Sequence, residues 1–169
     1  MTLPRRLIVM GPSGAGKSVV GALLATRLGI PFIDADDLHP AHNIAKMAAG
    51  SPLDDDDRMP WLDVVGRVLS DEPDGAVMAC SALARRYRDR LRRGAPDAVF
   101  VELLADPERL SQRMIQREHF MPASLLGSQL LTLEHLADDE RGIAVATDAT
   151  PAEVADIVVD ALAGRQLLR

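Results

Sequence analysis

Aromatic residues and cysteine are both scarce in this sequence. Aromatic side chains make up 3% of the 169 residues, so the core must consist mainly of Leu, Val, Ile, Ala and Met. Cys80 is the single cysteine, which excludes an intramolecular disulfide bond and is compatible with a reducing compartment. We therefore expect one ordinary hydrophobic core without covalent cross-links.

An excess of positive charge and long hydrophobic runs are also missing. The formal net charge is −6, whereas a protein that binds duplex nucleic acid usually carries a basic face. No apolar stretch approaches the roughly 18 residues that a membrane-spanning helix needs. The apolar run near the N-terminus is too short for the core of a signal peptide. We expect a cytoplasmic protein with neither a nucleic-acid partner nor a membrane partner.

Short apolar runs alternate along the chain with longer helical periods, which is typical of a parallel sheet flanked by helices. The predicted strands are Leu7–Met10, Pro31–Ala35, Ala76–Cys80, Ala98–Leu104 and Ile143–Ala146. The predicted helices are Lys17–Leu28, Ala41–Ala49, Trp61–Leu69, Arg85–Arg93, Pro107–Glu118 and Pro151–Ala163. No repeat or low-complexity linker interrupts this pattern, so we expect residues 1–169 to form a single α/β domain.

The segment from Gly11 to Ser18 reads GPSGAGKS and matches the phosphate-loop pattern G-x-x-x-x-G-K-[ST] in full. It also lies between a predicted strand and a predicted helix, as a phosphate loop should. Glycines allow backbone N–H groups to turn towards phosphate oxygens, and the start of a helix favours an anion. The expected nucleotide contacts are Gly11, Ser13, Gly14, Ala15, Gly16, Lys17 and Ser18. Lys17 should reach the β and γ phosphates, and the Ser18 hydroxyl should ligate Mg²⁺.

Two aspartates follow the second predicted strand. Strand alternation would point Asp34 and Asp36 the same way, at the carboxyl edge where ligands of open α/β sheets bind. Asp34 could then hold the water shell of Mg²⁺, and Asp36 could accept a proton from an attacking hydroxyl group. The alternative is an Asp-rich turn that caps the helix after His39 and Pro40.

A nucleotide-binding switch without an acceptor substrate is the alternative of a different class. The guanine-reading motif N-K-x-D of GTPases is absent from the sequence. Two D-x-x-G strings occur, at Asp63–Gly66 and Asp139–Gly142, but one lies in a helical period and the other runs into a strand. We interpret both as chance matches to a loose pattern.

Many short segments resemble the gluconate kinases, and they occur in the order found in that family. These segments are Asp36–Pro40, Asn43, Lys46–Met47, Gly50, Pro52–Leu53, Asp55–Arg58, Pro60–Leu62, Cys80–Leu83, Arg86–Asp89, Leu91–Arg92, His119–Met121, Leu125–Leu126, Ser128–Gln129 and Leu133–Glu134. The resemblance covers the chain from Leu7 to about Asp148. Ala35 and Ala84 depart from the family pattern, and we assign position 84 no role.

The resemblance implies an activity, a fold and an assembly. The family transfers the γ-phosphate of ATP to the 6-hydroxyl of D-gluconate, and another small hydroxy acid such as shikimate is the alternative acceptor. The implied fold is a three-layer P-loop sandwich whose five-stranded parallel sheet has the order 2-3-1-4-5. A substrate-binding segment is expected at about residues 36–70, and a lid at about residues 118–135. The resemblance also suggests a homodimer.

The resemblance also selects individual side chains. Arg58 and Arg88 are the implied ligands of the gluconate carboxylate, because a guanidinium group can bind a carboxylate in a bidentate manner. The other implied substrate contacts are Asp36, His39, Ser81 and Gln129. Arg113 and Arg117 are expected to face the nucleotide from the lid, with Arg117 acting on the transferring phosphate, although surface ion pairs are the alternative. The remaining Asp54–Asp57 run is expected to be mostly a solvated loop. The loop around Thr147–Pro151 is the expected adenine pocket.

Overall fold

A parallel five-stranded sheet organises the protein in the computed structural model, which describes residues 2–116 and 122–164. Its strands are β1 (Arg6–Met10), β2 (Phe32–Asp34), β3 (Ala76–Ala79), β4 (Val99–Leu104) and β5 (Gly142–Ala146). The α-helices in this part of the chain are α1 (Lys17–Leu28), α2 (Ala41–Ala48), α3 (Asp55–Asp71), α4 (Arg85–Gly94), α5 (Pro107–Ile115), α6 (Leu126–Thr132) and α7 (Pro151–Gly164). The strand order β2-β3-β1-β4-β5 confirms the predicted order.

Alternate residues of the central strand enter two separate cores. Leu7 and Val9 belong to the core that α1 and α7 cover, whereas Ile8 and Met10 belong to the core that α3 and α4 cover. Both faces of the sheet are therefore buried, as parallel sheets require, and the predicted three-layer architecture is confirmed. No helix of the described residues has the length and apolar character needed to cross a bilayer.

The start of α3 differs from the prediction. The helix begins at Asp55, six residues before the predicted start at Trp61, and Pro60 lies inside it. The Asp54 side chain accepts a hydrogen bond from the N–H of Asp57, and the Asp57 side chain accepts one from the N–H of Asp54. This capping box stabilises a helix start that tolerates a proline. The expected solvated loop at Asp54–Asp57 was therefore wrong, because Asp54 caps the helix and the other three form its first turn.

The end of β2 also differs from the prediction. The strand stops at Asp34, and a short 3-10 helix follows at Ala35–Leu38. Asp34 caps this helix, because its side chain accepts a hydrogen bond from the N–H of Asp36 at 3.0 Å. The argument from strand alternation was therefore wrong for Asp36, because this residue lies in the 3-10 helix and not in the strand. The alternative was also wrong as stated, because Asp34 caps the 3-10 helix before His39, whereas α2 begins after Pro40 without a side-chain cap. Asp34 itself contacts the phosphate loop through Ser18.

The two D-x-x-G strings have packing explanations. Gly66 lies in α3 where that helix meets α4, and a Cβ on Gly94 of α4 would come within 2.9–3.0 Å of the Gly66 backbone. A Cβ on Gly142, at the start of β5, would come within 2.6 Å of the Phe100 carbonyl. Glycine thus permits close backbone approach at both sites, and neither string forms part of a nucleotide-sensing loop.

Candidate active site

The phosphate loop turns sharply between β1 and α1. Gly14 and Gly16 have φ angles of 82° and 94°, which side-chain-bearing residues rarely adopt, so the loop requires glycine at both positions. Gly16 precedes the first turn of α1, and the start of this helix therefore points its N–H groups at the loop. The Lys17 ammonium group donates a hydrogen bond to the Pro12 carbonyl at 3.1 Å, which holds the side chain across the loop.

Ser18, in the first turn of α1, and Asp34, at the end of β2, bring two oxygen-bearing side chains together beside the phosphate loop. The Ser18 hydroxyl donates a hydrogen bond to Asp34 Oδ2 at 2.7 Å. Hydroxyl and carboxylate oxygens are ligands that Mg²⁺ accepts, and this ion commonly takes one or two protein oxygens together with nucleotide phosphates. No group of three or more His, Cys, Asp or Glu side chains within the described ranges could hold a metal alone. The pair therefore fits a nucleotide-borne Mg²⁺.

Three cavities adjoin one another along the phosphate loop, because each shares lining residues with the next. The first is lined by α1, the loop after β5 and Arg113, and it reaches Gly14 and Gly16. The second lies in the phosphate loop and contains Lys17 and Ser18 together with Asp36. The third shares Ser13, Lys17 and Asp36 with the second and extends into the substrate-binding segment. Its other lining residues are His39, Met47, Pro52, Leu53, Arg58, Trp61, Ser81, Leu83, Leu125, Ser128 and Gln129.

His39 lies in the wall of the third cavity and is almost fully buried. Its ring stacks on Trp61 with a centroid distance of 4.0 Å and an interplanar angle of 16°. The indole is fixed in turn, because its N–H donates to the Ala35 carbonyl at 2.9 Å. Burial and the nearby positive charge of Arg58 lower the pKa of His39 to about 4, so the ring is neutral near neutral pH.

Arg58 reaches the same cavity from the first turns of α3. Its guanidinium donates a hydrogen bond to the Tyr87 hydroxyl at 2.8 Å and lies over the Tyr87 ring. The Tyr87 hydroxyl donates to Asp55 at 2.6 Å, so Tyr87 joins α4 to the start of α3. Among the described residues, Tyr87 is the one hydrogen-bond acceptor of Arg58. The guanidinium therefore keeps N–H donors for an anionic ligand in the cavity.

Comparisons with known proteins agree with this geometry. A family model described as shikimate kinase matches residues 13–163. The gluconokinase of Gluconobacter oxydans is 47% identical over 163 residues, which cover 94% of this chain and 89% of the relative. The chain belongs to the gluconokinase family. The thermosensitive gluconokinase of Escherichia coli is 45% identical over 140 residues, with 80% and 75% of the two chains covered.

A solved gluconokinase structure shows the same architecture. The enzyme from Sinorhizobium meliloti superimposes with a TM-score of 0.87 at 45% identity, and the match covers 96% of this chain and 94% of the other. The predicted membership of the gluconokinase family and the predicted P-loop kinase fold are thereby confirmed. The roles of individual site residues stay predictions. Some of these residues lie where the predicted role requires, and others do not.

Arg88 does not reach the cavity, although the gluconokinase resemblance implied that it binds substrate. Its side chain is fully buried and pairs with Glu140 at 2.7 and 2.8 Å. The same guanidinium donates to four backbone carbonyls, those of Ala82, Leu83, Glu134 and His135. All of its donor directions are therefore used within the protein, and the geometry favours a structural role for Arg88.

Gln129 and Ser81 lie beside the phosphate loop. The Gln129 amide accepts a hydrogen bond from the Ser13 N–H at 2.7 Å and lies 3.1 Å from the Ser13 hydroxyl. The Ser81 carbonyl accepts from the Gly11 N–H at 3.2 Å. Ala82 follows with a φ of 44°, which is unusual for a residue with a side chain. Both predicted contacts thus line the third cavity, and both also brace the loop.

The structure tests the predicted position of one of the two lid arginines, Arg113, but not that of Arg117. Arg113 lies at the end of α5 and donates to the Gly14 carbonyl at 3.1 Å, in the wall of the first cavity. This position is compatible with the predicted nucleotide contact. Arg117 lies outside the described residues. The described part of the lid range contains α6, which was not predicted, and Leu125 before it packs on Met47 and Leu53 of the substrate-binding segment.

Asn43 and Tyr87 were assigned no function from the sequence, yet both contact predicted gluconate ligands. Asn43 lies on the first turn of α2, and its amide contacts His39 and the Asp57 carbonyl. Tyr87 holds Arg58 from α4. Both residues stand in segments that resemble the family, but single-residue spacing does not reveal which side chains support a ligand from behind.

Proposed function

We propose that this protein transfers the γ-phosphoryl group of ATP to the 6-hydroxyl of D-gluconate and releases ADP and 6-phospho-D-gluconate. The row of three cavities carries this proposal, because it offers adjoining places for a nucleoside, its phosphates and a polar acceptor. Lys17 and Asp36 line both the second and the third cavity, which is where a phosphoryl group would pass from donor to acceptor. The family relationship supports gluconate as the acceptor.

The first two cavities suit the two parts of ATP. Val20, Pro151 and Val154 give the first cavity apolar walls for a purine ring, in the loop region that the sequence indicated. Lys17 and the N–H groups of the phosphate loop hold the β and γ phosphates. Ser18 and Asp34 fit Mg²⁺, which when bound neutralises charge on these phosphates. Arg113 contributes further positive charge from α5.

The third cavity suits an anionic acceptor with several hydroxyl groups. Arg58 binds the carboxylate, because its remaining N–H donors face the cavity. The polar side chains of His39, Ser81 and Gln129 supply hydrogen bonds to the hydroxyl groups. With the carboxylate held at Arg58, the far end of the acceptor chain extends towards Asp36 and Lys17.

The reaction then needs one proton transfer and one displacement. The oxygen of the 6-hydroxyl attacks the γ-phosphorus while the bond from phosphorus to the bridging oxygen of ADP breaks. Asp36 accepts the proton that the hydroxyl group loses, and Lys17 stabilises the charge on the transferring phosphoryl oxygens. Positioning and electrostatic stabilisation account for most of the catalysis that phosphoryl transfer requires.

An acceptor panel tests the proposed activity. ADP release would be measured with ATP and Mg²⁺ against gluconate, shikimate, glucose, nucleoside monophosphates and no acceptor. We expect a rate with gluconate far above all the others. A rate with shikimate above that with gluconate would contradict the proposed acceptor. Equal rates with and without every acceptor would contradict the kinase activity and would support nucleotide binding only.

Substitution of Asp36 tests the proposed general base. We expect Asp36→Asn to lower kcat with gluconate by roughly 10²–10⁴-fold, because the amide cannot take the proton. Nucleotide affinity, measured by calorimetry, should change little. Asp37→Asn is the matched control, since Asp37 is the exposed neighbour in the same 3-10 helix and lines none of the three cavities. Near-normal turnover of Asp36→Asn would remove this residue from the mechanism.

A further inference from the structure

Asn43 occupies an unusual position for a polar side chain. It is fully buried, and its Oδ1 is the one buried side-chain oxygen or nitrogen in residues 2–116 and 122–164 without a hydrogen-bond partner. Leaving a buried acceptor unsatisfied destabilises a protein, so such an atom calls for an explanation. A leucine of similar size would avoid that cost. The explanation must therefore lie in what the amide nitrogen of Asn43 does.

The orientation of the Asn43 amide is determined by its surroundings. Asn43 Nδ2 lies 3.2 Å from the Asp57 carbonyl oxygen, which can only accept a hydrogen bond. The reverse orientation would bring two acceptor oxygens together, so the nitrogen must lie on this side. The same nitrogen lies 3.3 Å from Nδ1 of His39 and directs its second hydrogen there.

This contact determines the tautomer of His39. Because Asn43 donates to Nδ1, that nitrogen must carry the lone pair, and the proton of the neutral ring must be on Nε2. The Nε2 atom lies 3.8 Å from Oδ1 of Asp36. The ring therefore presents an N–H group to the carboxylate. In the other tautomer a nitrogen lone pair would face the same negative charge.

We propose that Asn43 is a positioning residue that holds His39 as its Nε2–H tautomer, and that His39 uses this N–H to orient the Asp36 carboxylate. The inference rests on the proposed function, in which Asp36 takes the proton of the acceptor hydroxyl. At 3.8 Å the contact is longer than a hydrogen bond, and the Nε2–H dipole acts on the Asp36 carboxylate by electrostatic attraction. Trp61 completes the arrangement, because its indole stacks on the imidazole and fixes the plane of the His39 ring.

The tautomer is measured directly by long-range ¹H–¹⁵N correlation NMR of the ¹⁵N-labelled full chain near neutral pH. Protonated and unprotonated ring nitrogens have distinct ¹⁵N shifts, and His39→Gln identifies the His39 signals by their loss. His42 lies exposed on α2, the helix that carries Asn43, and serves as the internal reference for a ring that exchanges between tautomers. We expect a single Nε2–H form for His39. An Nδ1–H form in the wild type would overturn the inference.

Two substitutions of Asn43 test whether this residue sets the tautomer. Asn43→Leu keeps the approximate volume without a donor and should give His39 a mixture of tautomers. Asn43→Asp places a carboxylate beside Nδ1 and should give an Nδ1–H or a charged ring. Each should lower kcat with gluconate by up to about tenfold, because a fixed Nε2–H group no longer faces the Asp36 carboxylate. An unchanged tautomer in both variants would overturn the inference.

A double substitution separates this role from a structural one. In His39→Gln the amide N–H₂ can replace the Nε2–H donor, and no tautomer is left for Asn43 to set. If Asn43→Leu lowers kcat in the wild-type background through its effect on His39, adding Asn43→Leu to His39→Gln should change kcat less than twofold. An equal loss in both backgrounds would overturn the inference. Absence of gluconate turnover in the wild type would instead refute the proposed function, while the NMR measurement still decides the tautomer.

Discussion

Two buried polar regions of this protein contain an arginine from a segment that resembles the gluconate kinases, yet they use it differently. The cavity region consists of Asp36, His39, Arg58 and Trp61, and the arginine cluster consists of Arg88, Arg92 and Glu140. Arg88 is fully buried and donates to Glu140 and to four carbonyl oxygens. Arg58 is half-buried and bonds to Tyr87, beside open space. An arginine is available to a ligand only where the protein leaves donors unused.

His39 in the cavity region and Glu140 in the arginine cluster both have a lowered pKa, for different reasons. In the cavity region, burial lowers the pKa of His39 to about 4, and Arg58 adds to the effect. In the arginine cluster, burial opposes the ionisation of Glu140. Hydrogen bonds from Arg88, the Ala137 N–H and Arg92 outweigh it and lower the pKa of Glu140 to about 2. His39 is therefore kept neutral, and Glu140 is kept charged.

Removal of Arg88 should have the largest effect on stability. We expect Arg88→Ala to lower the free energy of unfolding by about 3–5 kcal/mol, because it leaves the Glu140 carboxylate buried without its main partner. The KM for gluconate of the remaining folded enzyme should stay within about twofold of the wild type, since Arg88 does not line the cavity. Urea denaturation and steady-state kinetics measure the two quantities.

A double variant makes this test specific to the ion pair. Arg88→Met combined with Glu140→Leu replaces both charges by apolar groups and should recover part of the stability that Arg88→Ala loses. The comparison between the regions would fail if Arg88→Ala unfolded like the wild type but bound gluconate poorly. That result would return Arg88 to the role that the family resemblance implied.

Removal of Arg58 should give the opposite pattern. We expect Arg58→Met to lower kcat/KM for gluconate roughly tenfold to hundredfold, the equivalent of about 1.5–3 kcal/mol for hydrogen bonds to a charged group. The KM for ATP and the free energy of unfolding should change little. Arg67→Met is the matched control, because Arg67 lies exposed on the same helix. Equal losses in the two variants would show that Arg58 contributes only general positive charge.

The contrast between Arg58 and Arg88 also marks how far the sequence could predict this molecule. The sheet order and the phosphate loop were predictable, because the first depends on family resemblance and the second on a specific motif. Both arginines stand in segments that match the family equally well. The residue spacing does not indicate that Arg88 pairs with Glu140, which lies 52 residues further along the chain.

Local backbone geometry was the other source of error. Asp36 lies in the cavity as predicted, but the 3-10 helix after β2 places it there and the strand does not. The capping box of α3 needs both Asp54 and Asp57, and a run of four aspartates does not reveal which of them cap. Asn43 was equally inconspicuous, because its importance lies in the ring atom that it contacts. Such features depend on distances of a few ångströms that only the folded chain sets.

The smallest expected effect is on the pH dependence of stability, and it separates the two regions again. His39 has a pKa of 6.5 in a solvated chain and about 4 in the folded protein, so the unfolded chain takes up the proton first as the pH falls. The contribution of His39 is therefore complete above pH 6.5 and is lost progressively towards pH 4. Between about pH 7.5 and about pH 5.5, we expect this residue to account for a loss of roughly 1 kcal/mol.

Urea denaturation of the wild type, His39→Gln and Glu140→Gln at these two pH values measures this contribution. His39→Gln should lose less stability on acidification than the wild type, because glutamine does not titrate. Glu140 has a lowered pKa, so its contribution is lost only below pH 4.5 and towards pH 2. Glu140→Gln should therefore be less stable at both pH values but should keep the full acid-dependent loss. Parallel behaviour of His39→Gln and the wild type would mean that His39 is solvated, and the contrast between a neutral His39 and a charged Glu140 would then fail.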